Sequence, residues 1–205
     1  MKVNGERTLP GTPEQVWQML LDPDVLVSAI PGCKSLQKVE EDQYTGTINA
    51  KVGSIESTYN ATFKISDKDP PHSYVLNVQG QGSAGFVKGD VKMSMTEEGP
   101  TQTHLSFDGT ANVGGRIAQV GQRMVKATAD AMIDQGFEDL RERIQQEVDL
   151  EAARARGDEA AVEAATDQVE TSSKKTVGDR LKRIVRFIRT FLKSFFSGDA
   201  SSEKS

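Results

Sequence analysis

Few residues of this 205-residue chain could carry out chemistry, and they do not form a recognisable catalytic group. The two histidines, His72 and His104, have no carboxylate pair or nucleophile at a spacing typical of acid–base or nucleophilic catalysis, so both are predicted to be surface residues. The single cysteine, Cys33, excludes an internal disulfide and a zinc site built from several cysteines. The sequence therefore nominates no catalytic residue and no metal ligand, and we predict that the protein is not an enzyme.

A glycine-rich segment at residues 80–85 matches the G-x-G-x-x-G pattern of dinucleotide-binding loops. That function requires a helix directly after the glycines, because the helix N-terminus receives the pyrophosphate. Residues 86–95 instead alternate between polar and apolar types, which indicates a strand. The segment is therefore predicted to be a hairpin loop without a nucleotide.

The elements that would position a site follow from apolar spacing and helix-start signals. Val3 to Leu9 alternate like a strand, and Thr12 to Gln15 form a capping box with proline at the first helical position. A second short helix is predicted after Asp22. Consecutive strands with short turns then predict an antiparallel meander, over residues 44–52, 55–65, 74–78, 87–95 and 105–111. A long helix is predicted from Arg116 to about Gln146, so residues 1–146 form the folded domain.

Small and adaptable side chains recur on the predicted inner face of the sheet and on one side of the long helix. Small residues that face a helix can leave room for a guest molecule, and they can equally allow close helix–sheet packing; the sequence leaves both open. On the first interpretation the domain has an apolar ligand cavity. The residues predicted to line it are Ala50, Val52, Tyr59, Ala61, Phe63, Leu76, Met93, Phe107, Ile117, Val120, Gly121, Met124 and Thr128.

Charge is distributed unevenly along the chain, whose formal net charge is -5. Residues 147–173 are rich in carboxylates and poor in apolar residues, which predicts an acidic flexible linker. Residues 174–193 carry eight lysines and arginines and one aspartate. An acidic body with a basic C-terminal segment suggests two parts with different partners. Residues 198–205 are predicted to be a disordered tail.

Residues 174–197 are predicted to form a basic amphipathic helix, because a helical wheel separates aliphatic and aromatic residues from cations. Arginines at mid-bilayer are costly, so the helix should lie flat on an anionic membrane surface rather than cross it. A helix docked on the protein's own core and a helix bound in a partner's groove remain alternatives, whereas a nucleic-acid partner is not expected. The predicted membrane-binding residues are Leu181, Lys182, Arg183, Ile184, Arg186, Ile188, Arg189, Phe191, Leu192, Lys193, Phe195 and Phe196.

The order of elements (strand, two short helices, antiparallel strands, long helix) resembles the helix-grip arrangement of the START/Bet v 1-like (SRPBCC) superfamily. Within it, several short motifs are similar to those of the carbon monoxide dehydrogenase G-subunit family. They are Val16-Trp17, Ile30-Pro31-Gly32-Cys33, Lys51-Val52-Gly53-Ser54-Ile55, Asp69-Pro70-Pro71, Gly80-Gln81-Gly82 and Gly114-Gly115-Arg116. The resemblance covers residues 1–146 and implies an α+β fold in which a curved antiparallel sheet surrounds a long helix, followed here by the C-terminal amphipathic helix.

The resemblance implies an accessory protein of a molybdenum carbon monoxide dehydrogenase or a related oxidoreductase. We expect it to recruit that enzyme to the cytoplasmic face of the cell membrane as a peripheral protein. No covalent cofactor is expected; because such enzymes must discharge electrons, the expected guest is an apolar, lipid-like respiratory quinone. The alternatives are a pure membrane tether without a ligand and a cavity enzyme of the helix-grip superfamily.

Overall fold

A computed structural model describes residues 1–157 of the chain. The predicted basic helix, the tail and most of the predicted linker lie outside these residues. The described elements are β1 Lys2–Pro10, α1 Pro13–Leu20, α2 Pro23–Ala29, β2 Cys33–Glu40, β3 Gln43–Val52, β4 Ile55–Asp69, β5 Ser73–Gly82, β6 Gly85–Gly99, β7 Gln102–Gly114, a 3₁₀ helix Arg116–Val120 and α3 Gln122–Arg156.

The seven strands form one antiparallel sheet in the order β1-β7-β6-β5-β4-β3-β2, so the predicted α+β helix-grip architecture is confirmed. Strand β1 pairs with β7, and all other paired strands are consecutive in the sequence. Residues 80–85 lie at the β5–β6 turn, where Gly82 pairs with Gly85, which confirms the hairpin. Strand β2 was not predicted, since only Cys33 and Leu36 of its residues are buried and no apolar alternation marks it.

Both short helices begin where the capping residues predict. The Thr12 amide donates to Oε1 of Gln15 at 2.9 Å, and the Gln15 amide donates to Oγ1 of Thr12 at 3.4 Å. In α2, Oδ1 of Asp22 accepts from the amide of Asp24 at 2.8 Å. These bonds satisfy amides that the helix itself leaves without partners.

The long helix differs from its prediction at both ends. It does not run continuously from Arg116, because a 3₁₀ helix ends at Val120 and Gly121, with φ of +94°, redirects the chain before α3 begins. It also continues to Arg156 instead of ending near Gln146, so residues 147–156 of the predicted linker are helical. Side-chain pairs four residues apart, such as Arg143 with Glu147 at 3.0 Å, support this extension.

The main core lies at the end of the sheet where α1, α2 and the C-terminal half of α3 pack together. Its most deeply buried members include Leu9, Val16, Met95, Leu105 and Ile144. There, Val148 of α3 lies close to Gly11, and the Gln15 side chain donates to Glu151 at 2.5 Å. The three helices therefore cover the inner face of the sheet and close this end of the domain.

Candidate functional site

The inner face of the sheet carries one continuous set of side chains. The strand registers place Ala61 opposite Gly80, Gly80 opposite Val87, and Met93 opposite Phe107, so these residues share a face. Side chains alternate between faces along every strand, and antiparallel pairing preserves the alternation. The predicted sheet residues accordingly all lie on this face, namely Ala50, Val52, Tyr59, Ala61, Phe63, Leu76, Met93 and Phe107.

Helix α3 crosses this face and makes most of its close approaches to the sheet at β1 and β3, near the two margins. The apolar side chains on the strands between them are less well covered. Phe63, Leu76, Val78 and Val91 are only half-buried, although each points to the inner side. We call this partly covered inner surface of β4–β7 the hollow.

The predicted lining residues differ in how deeply they lie. Tyr59 and Ala61 are buried, and Tyr59 forms a small apolar cluster with Ala84 and Ile117. Val120 and Thr128 are half-buried, and the Thr128 hydroxyl donates to the carbonyl of Met124 at 3.0 Å. The burial of Tyr59 raises the pKa of its hydroxyl.

Two helical positions of the prediction need correction. A Cβ added at Gly121 would meet nothing within 4 Å, so this glycine does not border a cavity. It lies in the turn between the 3₁₀ helix and α3. The Met124 side chain is 48% exposed, near the β3–β4 turn at Gly53. Gly121 and Met124 were assigned to the cavity from a helical wheel that assumed one continuous helix through Gly121, whereas the helix axis changes there.

Two open clefts of similar size lie within residues 1–157. One of about 260 Å³ lies beside the 3₁₀ helix, and Ala111, Val113, Ala118 and Val125 are among its lining residues. It is just below the volume of about 300 Å³ at which small-molecule sites begin. None of the residues predicted to line the cavity lines this cleft. Ala111 and Val113 continue the inward alternation of β7, and that signal could have identified them.

The second cleft, of about 230 Å³, lies between β1 and α3. Its edge holds Arg7, a cation on the inner face of the sheet, which pairs with Asp134 of α3. The Arg7 guanidinium also lies 5.9 Å and 5.6 Å from the ring centres of Phe107 and Phe137, which stack on each other. These contacts fasten the edge strand to the helix and close this side of the hollow.

Polar groups within the described residues do not assemble into a metal centre: no cluster of three or more histidine, cysteine or acidic side chains there could hold a metal ion. At the end of the sheet next to the 3₁₀ helix, the Oγ atoms of Ser57 and Ser83 lie 3.1 Å apart, and Nη2 of Arg116 donates to the Ser83 carbonyl at 3.5 Å. Such groups can orient a polar end of a largely apolar molecule. Across residues 1–157, no helix combines the length and apolar character that a membrane crossing requires.

Comparisons with solved structures find the same fold in other proteins. A conserved protein from Geobacillus kaustophilus is 34% identical, with 71% of this chain and 96% of that chain covered and a TM-score of 0.68. A START superfamily protein from Mycobacterium smegmatis is 16% identical over 71% and 97% of the two chains, with a TM-score of 0.57. The Zhui aromatase/cyclase from Streptomyces sp. R1128 is 12% identical over 72% and 95%, with a TM-score of 0.54.

At 16% and 12% identity, the last two likenesses show the fold alone. A comparison with curated protein sequences found no match. The profile of one family, the carbon monoxide dehydrogenase G-subunit (CoxG) family, matches residues 5–145, which include the whole sheet apart from the first residues of β1. The match spans more than half of the chain and ends within α3, and on this ground the chain belongs to the CoxG family of carbon monoxide dehydrogenase proteins.

Proposed function

We propose that this protein is a membrane-associated accessory protein of a molybdenum carbon monoxide dehydrogenase or a related oxidoreductase. It recruits that enzyme to the cytoplasmic face of the membrane, and its hollow binds an apolar, lipid-like molecule, for which a respiratory quinone is our candidate. Membership of the CoxG family supports an accessory role beside such an enzyme. The ligand is proposed on the structure of the domain.

The observation that carries the ligand proposal is the half-buried inner face at Phe63, Leu76, Val78 and Val91. Apolar surface left partly in water is unfavourable by about 25 cal/mol per Å², so an apolar guest that covers it is stabilised by the same amount. A quinone also presents ring carbonyls that accept hydrogen bonds, and the hydroxyls of Ser57 and Ser83 lie at the end of the sheet next to the 3₁₀ helix.

The partner enzyme explains why a quinone, among apolar molecules, fits the role. An oxidoreductase that removes electrons from its substrate needs an acceptor, and a quinone with a long apolar tail resides in the bilayer. A carrier that withdraws it from the lipid brings it to an enzyme that does not itself enter the bilayer. The domain supplies an apolar surface for the tail, and the proposed basic helix at residues 174–197 holds the carrier at the membrane.

A tether without ligand is the second candidate, and the modest volumes of the two clefts, about 260 and 230 Å³, favour it. In that case the domain only docks the enzyme. The aromatase/cyclase likeness, at 12% identity, does not bring an activity to this chain.

Solvent extraction of the purified full chain, followed by mass spectrometry, tests the ligand. We expect at least several tenths of a quinone molecule per protein chain. An extract of an unrelated protein purified from the same cells serves as the blank. A chain that is empty when purified and stays empty after incubation with quinone-containing vesicles contradicts the carrier and leaves the tether. Deletion of residues 176–205 should release the enzyme from the membrane fraction under both candidates, so that result tests recruitment separately.

A further inference from the structure

The antiparallel meander separates the turns of the sheet into two groups at opposite ends of the domain. The turns at residues 53–54 and 83–84 lie at the same end as the 3₁₀ helix and the first turn of α3, and we call this the 3₁₀ end. The turns at residues 41–42, 70–72 and 100–101 lie at the other, closed end, which we call the acidic end. Strand β6, with 15 residues at about 3.4 Å each, runs between the two and measures roughly 50 Å along its length.

The acidic end has a strong excess of carboxylates. Its turns and their flanking residues carry seven of them against three lysines, Lys38, Lys64 and Lys68, of which Lys68 pairs with Asp42 at 2.8 Å. The carboxylates are Glu40, Glu41, Asp42, Asp67, Asp69, Glu97 and Glu98. An anionic surface would repel this end of the domain.

The 3₁₀ end has the opposite character. Lys51, Arg116 and Arg123 are exposed there, and Glu56 is the carboxylate beside them in the β3–β4 hairpin. Two of the three large apolar side chains that are exposed within residues 1–157 also lie here, Met124 at 48% and Phe86 at 44%. Cations interspersed with exposed apolar side chains are the features of a surface that lies on anionic lipid headgroups.

The cleft of about 260 Å³ lies at this same end. Val113 of β7 and Val125 of α3 line it together with the polar Asn112 and Gln122, so an amphipathic molecule at the 3₁₀ end meets both apolar and polar walls there. An acidic protein surface would pair with the cations, but it would not explain why the cleft lies beside them. Lipid accounts for the charge, the apolar residues and the opening together.

We propose that the 3₁₀ end of the domain docks on the anionic lipid surface and that the acidic end points away from it. The docking surface consists of Lys51, Phe86, Arg116, Arg123 and Met124. It is a contact of the folded domain itself, separate from the proposed helix at residues 174–197. The inference rests on the proposed function only in regarding the bilayer as the source of the ligand.

Orientation on vesicles tests this proposal with the full chain. A thiol-reactive, environment-sensitive nitrobenzoxadiazole label is attached at Met124→Cys and, as the matched control, at Val39→Cys. Val39 is 50% exposed, nearly the same as Met124, but it lies on β2 beside the acidic end. The native Cys33 is only 3% exposed, so the labelled wild-type chain gives the background.

With vesicles of phosphatidylglycerol and phosphatidylcholine at low salt, we expect the label at position 124 to shift to the blue and gain at least about twofold in intensity. The label at position 39 should remain unchanged, and vesicles of phosphatidylcholine alone should affect neither. If the labels at both positions respond alike, if neither responds while the chain sediments with vesicles, or if the chain does not sediment at all, the proposal is wrong.

Charge reversal gives the second arm. One basic residue near an anionic surface contributes about fivefold to binding, which corresponds to about 1 kcal/mol. The double variant Arg116→Glu with Arg123→Glu should therefore lower the lipid affinity, measured from the label at position 124, by at least about 25-fold. The same charge change at the acidic end, Lys38→Glu with Lys64→Glu, should leave it intact. An unaltered response in the first pair would overturn the proposal. Quinone content is measured independently by extraction, so a ligand-free chain that still responds at position 124 refutes the carrier alone.

Discussion

Gly80 offers the sharpest test of whether the hollow is where a ligand binds. It lies on the inner face of β5, opposite Ala61 and Val87. A Cβ added there would have the Tyr59 Cβ as its nearest neighbour at 3.9 Å, which is an ordinary contact. At Gly89, by contrast, the added atom would lie 2.7 Å from the Thr110 carbonyl oxygen. Gly80→Val therefore places three carbons into open space on the apolar face without disturbing the backbone.

The expected effects on stability and on binding have opposite signs. Replacing a strand glycine relieves about 0.5–1 kcal/mol of unfavourable backbone entropy, and a gain of this size raises the Tm of a domain of this length by about 1–4 °C. A guest displaced from the space of three methylene-sized groups loses about 0.8 kcal/mol for each, or about 2.4 kcal/mol in total. This loss corresponds to roughly 50-fold weaker binding.

The assay compares quinone per protein by extraction and the Tm of chain stripped of ligand, because bound ligand itself raises the Tm. Gly99→Val is the matched control, since a Cβ added at Gly99 meets nothing within 4 Å and the residue lies at the acidic end. We expect it to retain ligand. If Gly80→Val is folded, as stable as the parent or more so, and still binds quinone with the parent's affinity, the ligand does not occupy the hollow and the reasoning fails.

Two further predictions concern the closed end. Burial raises the pKa of the Tyr74 hydroxyl above its ordinary 10.0, so the folded chain keeps a proton that the unfolded chain releases, and the stability of the fold should decrease as the pH rises above 10. In urea unfolding measured across the alkaline range, Tyr74→Phe should make this decrease less steep. An unchanged slope would contradict the assignment. Thr12→Ala removes the capping oxygen of α1 and should cost about 1 kcal/mol, seen as a Tm lower by about 2–4 °C, whereas an unchanged Tm would show that the cap contributes nothing.

Most of the sheet could be predicted because its signals are local. In β4, β6 and β7, buried residues alternate with exposed ones over long stretches, and each turn is marked by glycine or proline. The edge strand β2 has no such alternation, since exposed residues occupy both of its faces after Leu36. Its strand conformation depends on pairing with β3, and this pairing cannot be predicted from the composition of β2 alone.

The helical side of the site was predicted less well, and the reason is geometric. A wheel relates residues only while the helix is continuous, and Gly121 interrupts it between Ile117 and Met124. The sheet residues were placed on one face correctly because antiparallel pairing carries the alternation from strand to strand. The continuation of α3 to Arg156 was missed because part of its support, beyond the pairs four residues apart, is tertiary, through Val148 at Gly11 and Glu151 at Gln15.

The placement of the core explains how a domain can hold a partly open apolar face and remain folded. Met95, Leu105 and Ile144 are completely or almost completely buried at the acidic end, and removal of such side chains typically costs about 2–5 kcal/mol. In the middle of the sheet, half-buried residues such as Leu76 and Val91 pack against this core but contribute less, because water still reaches them. The deepest part of the core and the proposed ligand surface therefore occupy different parts of the same sheet. Substitutions in the hollow should alter binding far more than folding, and Gly80→Val tests that separation directly.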